Sequence, residues 1–101
     1  MDMVKRLVAE KPVVVFSNSS SSCMSHSIKS LISNFGANPT VYELDGVANG
    51  QQIERALLQQ GRRLPAVFIG QEFIGGAKEV MSLNLRSELG PLLIKARAIW
   101  L

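Results

Sequence analysis

Four consecutive apolar residues, Val13-Val14-Val15-Phe16, restrict this chain more than any other stretch of it. A strand with one wet face alternates apolar and polar residues. An unbroken β-branched run instead fits a strand buried on both faces, at the centre of an α/β sheet. Such a strand needs helices above and below it, and the flanking sequence supplies them. Residues 2–10 read as a short helix with Met3, Val4, Leu7 and Val8 on one face, stopped by Pro12. Beyond the polar stretch Ser17-Asn18-Ser19-Ser20-Ser21-Ser22, the apolar residues Ile28, Leu31, Ile32 and Phe35 recur at i, i+3, i+4 and i+7. They predict a second helix, with Gly36 as its stop.

A second strand is expected at Val41-Tyr42-Glu43-Leu44, closed by Asp45-Gly46. A helix follows over residues 49–60, with Ile53, Ala56 and Leu57 inward and Gly61 at its end. Ala66-Val67-Phe68-Ile69 and Glu72-Phe73-Ile74 flank Gly70-Gln71, the pattern of a tight hairpin. Gly75-Gly76 opens another helix through about Leu83. The last helix aligns Leu85, Leu89, Leu92, Leu93 and Ala96 on one stripe, with a kink or break expected near Gly90 because of Pro91. The order α-β-α-β-α-β-β-α-α joins a right-handed parallel βαβ unit to an antiparallel hairpin. A four-stranded mixed sheet flanked by helices satisfies it, which is the thioredoxin-like α/β architecture, as one domain over residues 1–101.

The single cysteine, Cys23, excludes an intrachain disulfide, a four-cysteine zinc site and a dithiol couple within one molecule. His26 adds only one more soft ligand, so no metal site of the chain's own is expected. The net charge of +3 comes from dispersed Lys and Arg, with Lys5-Arg6 and Arg62-Arg63 the only adjacent basic pairs. No basic face with a reading element is visible, so direct nucleic-acid binding is not expected. The apolar runs are too short for a bilayer and the N-terminus lacks a signal-peptide pattern. The expectation is a soluble intracellular protein in a reducing compartment.

Three features sit where such a fold does chemistry. The loop Ser21-Ser22-Cys23-Met24-Ser25-His26 leads into the second helix, whose N-terminal amides and dipole stabilise a thiolate. Leu64-Pro65 precedes the third strand, and a cis proline there would leave the preceding backbone open to an extended peptide. Gly75-Gly76 opens a helix whose bare amides can take a carboxylate. Together they fit a small peptide thiol such as glutathione. Each has a plainer reading: an inert half-buried thiol, a structural or solvated His26, a polar capped loop, a simple turn. Leu89, Leu92 and Leu93 equally match a core stripe. Trp100, next to the last residue, reads as a docking anchor.

Val13-Val14-Val15-Phe16-Ser17, Cys23-Met24-Ser25-His26-Ser27-Ile28-Lys29-Ser30-Leu31, Tyr42-Glu43-Leu44-Asp45, Pro65-Ala66-Val67-Phe68-Ile69-Gly70, Gly75-Gly76-Ala77 and Ala98-Ile99-Trp100-Leu101 together resemble a CC-type (class III) plant glutaredoxin over nearly the whole chain. The resemblance implies a glutathione site at Asn18, Arg63, Leu64, Pro65, Gly75, Gly76 and Ala77. It implies a cytoplasmic and nuclear regulator that binds TGA-type bZIP transcription factors through Ala98, Ile99, Trp100 and Leu101. It further implies a TOPLESS-type corepressor contact through Leu89-Gly90-Pro91-Leu92-Leu93.

The departures from the family are specific. Members place two adjacent cysteines before Met-Ser-His. Aligned on Met24-Ser25-His26, the second is Cys23 and the first, the nucleophile, is Ser22; counted from Phe16, the nucleophile falls on Ser21. The family's Lys or Arg after the first strand is Asn18, and its Thr-Val-Pro becomes Arg63-Leu64-Pro65. A hydroxyl attacks a disulfide far less readily than a thiolate. The expectation is therefore a redox-linked co-regulator, repressing in sign, with oxidoreductase turnover weakened or lost. The rival is a monothiol glutathione-dependent oxidoreductase using Cys23. A third reading is a 2Fe-2S cluster shared between two chains through Cys23 and glutathione.

Overall fold

The computed structural model describes residues 2–97. Helix α1 (Asp2–Glu10) leads into β1 (Val13–Ser17), whose five residues are all buried. Helix α2 (Ser22–Ser33), β2 (Thr40–Glu43) and α3 (Gly50–Gln59) follow. The hairpin β3 (Ala66–Ile69) and β4 (Glu72–Gly75) is succeeded by α4 (Ala77–Leu85) and α5 (Leu89–Lys95). The four strands lie in the order β2-β1-β3-β4, with β1 parallel to β2 and the other neighbours antiparallel. This is the mixed sheet that the element order required.

Successive residues of a strand point to opposite faces, so β1 divides its run between two cores. Val13 and Val15 join Ile28, Ile32, Val67, Val80, Leu89 and Leu93, beneath α2, α4 and α5. Val14 and Phe16 join Val4, Val8, Leu44, Ile53, Leu57 and Phe68, beneath α1 and α3. Val15 sits between Val41 and Val67 in register. Phe16 stacks on Tyr42 at 5.7 Å and meets Phe68 edge-on at 5.8 Å. Burying each such side chain contributes about 1.5–3 kcal/mol, which makes β1 the most costly strand to interrupt.

Three local expectations are corrected. Helix α2 ends at Ser33, so Phe35 lies past it and is partly exposed; Gly36 takes φ of 90° in the turn beyond. Leu44 leaves β2 and turns inward to start a 3-10 turn, Leu44–Gly46. A Cβ on Gly50 would stand 1.7 Å from the Leu44 carbonyl oxygen, so only glycine lets α3 begin against that turn. At the C-terminal end, α4 stops at Leu85, which is 84% exposed rather than on the core stripe. The break expected near Gly90 falls between Leu85 and Leu89, which leaves Pro91 in the first turn of α5, where backbone N–H groups have no helical partner to lose.

Candidate functional site

The serine loop is built by its own hydroxyls. Asn18 caps a 3-10 turn, Ser19–Ser21: its Oδ1 accepts from the Ser21 amide at 3.0 Å and from Ser21 Oγ at 2.9 Å. The Asn18 amide donates back to Ser21 Oγ at 3.1 Å. Ser25 Oγ donates to Ser17 Oγ at 2.6 Å, and Ser17 and Ser21 hydroxyls lie 3.3 Å apart. All three serines are buried. The other end of the loop is tied to the turn after β2, because the Ser19 amide donates to Asp45 Oδ2 at 2.8 Å and the Ser19 hydroxyl donates to the same oxygen. These bonds hold the Asp45 carboxyl below its ordinary value, the hydroxyl contributing most.

Helix α2 then begins with Ser22 and Cys23, both exposed. Ser22 Oγ donates to the Ser19 carbonyl at 3.3 Å. The two candidates for the nucleophile position thus differ sharply. Ser21 is buried and bonded into the cap, whereas Ser22 stands in solvent.

Two separate cavities flank this helix start. One, of about 530 Å³, is a groove lined by Met24, Arg63, Leu64, Pro65, Gly75, Gly76 and Ala77, with Lys78 and Glu79 at its edge. The Leu64–Pro65 peptide bond is cis. A Cβ on Gly76 would come within 3.2 Å of the Pro65 carbonyl oxygen, so glycine allows α4 to start close against the beginning of β3. The other cavity, of about 740 Å³, lies between α2 and β2 and is lined by Ser22, Cys23, Ser25, His26, Lys29, Val41 and Glu43. The fold therefore brings Pro65 and Gly75-Gly76 together, as expected, but sends the thiol into a different cavity. Met24, not Cys23, lines the proline groove.

Further expectations change. Asn18 lines neither cavity, since its side chain is engaged as a cap. The Gly76 amide is not bare: it donates to Glu79 Oε1 at 2.7 Å. The sequence reading missed Glu79, although a carboxylate three residues after a helix cap is a known signature. It also missed Met24 and Lys78, which carry no motif of their own. Leu89 and Leu93 are fully buried in the core and Leu92 is half-buried, so two of the three leucines are closed to a partner while α5 stays seated. Ala98, Ile99, Trp100 and Leu101 lie outside the described residues.

No protein-family model matches the chain. Monothiol glutaredoxin-S6 of Arabidopsis thaliana is 59% identical over 102 residues, spanning 99% of each chain. Monothiol glutaredoxin-S1 of the same plant is 57% identical over 103 residues, spanning 100% of each. The chain belongs to the glutaredoxin family. Among solved structures, the buckwheat glutaredoxin–glutathione complex superposes with a TM-score of 0.90 at 37% identity, covering 98% of this chain and 91% of that one. The holo form of glutaredoxin C1 from Populus tremula x tremuloides gives 0.86 at 39% identity, covering 97% and 89%. The fold read from the sequence is thus the glutaredoxin fold, with its sheet and helices in place. The one thiol lines the α2–β2 cavity, and no group of three or more His, Cys, Asp or Glu converges among the described residues, so the chain itself offers Cys23 alone to any shared cluster.

Proposed function

We propose that this glutaredoxin is a CC-type member that keeps a glutathione-binding groove without thiol–disulfide turnover, and that it acts as a repressing co-regulator of TGA-type bZIP factors in cytoplasm and nucleus. The observation that carries this reading is that Met24, and not Cys23, lines the Pro65 groove. In it, Arg63 supplies positive charge, the backbone at Leu64 and Pro65 offers an edge to an extended peptide, and the chain from Gly75 through Gly76 to Ala77 leads into the start of α4, where a carboxylate competes with Glu79 for the Gly76 amide. The glutathione bound by the buckwheat relative supports this assignment. A peptide held there meets Met24 where a redox enzyme needs a thiolate. Ser21 is bonded to Asn18, and the Ser22 hydroxyl donates to the Ser19 carbonyl, with no side-chain base bonded to it among the described residues. A corepressor contact through Leu89-Gly90-Pro91-Leu92-Leu93 would require α5 to lift, because Leu89 and Leu93 are buried.

Turnover of a glutathionylated peptide by the purified chain tests the claim. The expected rate equals that of Cys23→Ser, while Met24→Cys, which puts a thiol in the groove, raises it. A wild-type rate that Cys23→Ser abolishes would overturn it. That outcome defines the second reading, the monothiol route, which the names of the two Arabidopsis relatives favour. Cys23 would attack the mixed disulfide, take up glutathione and release the substrate thiol; a second glutathione would then free Cys23 as glutathione disulfide. Mass spectrometry after exposure to glutathione disulfide reads this route directly, since one cysteine gives one adduct.

A further inference from the structure

We infer that the α1 side of the sheet carries an oxyanion site centred on Arg62, independent of the Pro65 groove, which takes a phosphoryl group. Arg62 is fixed at both ends. Its amide donates to the Leu57 carbonyl at 3.0 Å, and the Gly61 amide donates to Leu58 at 3.0 Å with Gly61 at φ of 72°, the paired bonds that close a helix through a left-handed glycine. Its guanidinium lies 4.8 Å from the centroid of Phe73 and 5.4 Å from that of Phe68, two rings themselves 5.3 Å apart. Ring faces satisfy the flat side of a guanidinium and leave its N–H edge unmet. Among the described residues no acceptor takes those donors, and the ion pair present is Arg86–Glu88, elsewhere on the surface.

The edge borders a cavity of about 310 Å³, whose polar lining is Lys5, Gln60, Arg62 and Gln71, with no acid among them. A second cation and two carboxamides therefore surround a guanidinium already held in place. Such a set offers a forked pair of donors plus single donors around it, which suits the several oxygens of a phosphoryl group. Because both the backbone and the side chain of Arg62 are held before any ligand arrives, little ordering remains to oppose binding. The group can be inorganic phosphate or a phosphorylated side chain of a partner.

The simplest alternative is structural: a cation that closes the C-terminus of α3 and straps two rings. It would affect stability and show no response to anions. The test titrates the full chain at constant ionic strength with inorganic phosphate, with a phosphoserine peptide and with the same peptide unphosphorylated, following the backbone amide signals of Gln60, Arg62 and Gln71 by NMR. Phosphate is expected to give a saturable shift that chloride does not. Arg62→Lys, which keeps the charge and loses the fork, is expected to weaken binding about tenfold, the effect of one charged hydrogen bond. Lys5→Ala weakens it less, and Arg55→Ala on the exposed face of α3 leaves it unchanged. Tighter binding of the phosphopeptide than of inorganic phosphate assigns the group to a partner; the reverse order assigns it to the free anion. The site is overturned by a shift that does not saturate, by an equal shift with chloride, or by equal affinities in Arg62→Lys and Arg55→Ala.

Discussion

Ser19 and Asp45 stand 26 positions apart, and their pairing joins the serine loop to the turn after β2. The Ser19 hydroxyl and amide both favour the ionised carboxyl, so Asp45 titrates below its ordinary value of 3.8 in the fold. A depressed carboxyl adds stability that is fully present above the unfolded value and disappears as pH falls through the folded one. Asp45→Asn is therefore expected to flatten the loss of stability in acid, read as urea midpoints from pH 6 down to about pH 2. A wild type and variant that lose stability in parallel would refute the linkage. Glu79 poses a different conflict. Its carboxylate holds the Gly76 amide at 2.7 Å, where the carboxylate of a bound peptide would have to sit. Glu79→Ala is expected to lower stability by about 1 kcal/mol through loss of the cap, and to tighten glutathione binding severalfold by removing a competing charge. Calorimetric titration checks this; weaker binding in the variant would show that Glu79 assists the ligand.

At the scale of elements, legibility followed the strength of the local signal. Strand β1 was readable because no amphipathic pattern explains four consecutive apolar residues. Helix α3 and the β3–β4 hairpin were readable from their periodicity and their glycines. The start of α5 was not. The stop before it is made by Ser87 at φ of 60°, with the Glu88 amide donating to Leu83 at 2.8 Å and the Ser87 amide to Asn84 at 3.1 Å. It is the same paired closure that Gly61 gives α3, but built on a serine. Nothing marks a serine as left-handed, so the sequence points to Gly90-Pro91 for a break that falls one turn earlier, and it sets Leu85 on a stripe that Leu85 does not join. A non-glycine residue pays up to about 1–2 kcal/mol in that conformation, partly offset by the greater freedom of glycine when unfolded. Ser87→Gly is accordingly expected to stabilise the domain by roughly 0.5–1 kcal/mol, raising Tm by a few degrees. A lower Tm would mean that the serine side chain makes a contact that outweighs the strain.

Over the whole molecule, the candidate site was half legible. Pro65 and Gly75-Gly76 meet because the β3–β4 hairpin returns the chain to the start of β3, and any thioredoxin-like order of elements does the same. Which residue of α2 lines the groove is not written in residue types, because the loop before it is wound by hydrogen bonds among Ser17, Asn18, Ser21 and Ser25 that carry no motif. On the proposed reading the output of the molecule is binding, which the resemblance assigns to Ala98, Ile99, Trp100 and Leu101. Deleting these four residues is expected to abolish binding to a TGA-type factor while the chain still unfolds cooperatively and still binds glutathione. Trp100→Ala alone is expected to cost at least about 2 kcal/mol of that binding, as a tryptophan anchor does. Pull-down and calorimetry with one purified factor read both variants. Unchanged affinity in the truncated chain would remove the tail from the interface. Loss of glutathione binding alongside factor binding would instead make the groove and the tail parts of one surface, and the division of labour argued from Cys23 and Met24 would fail with it.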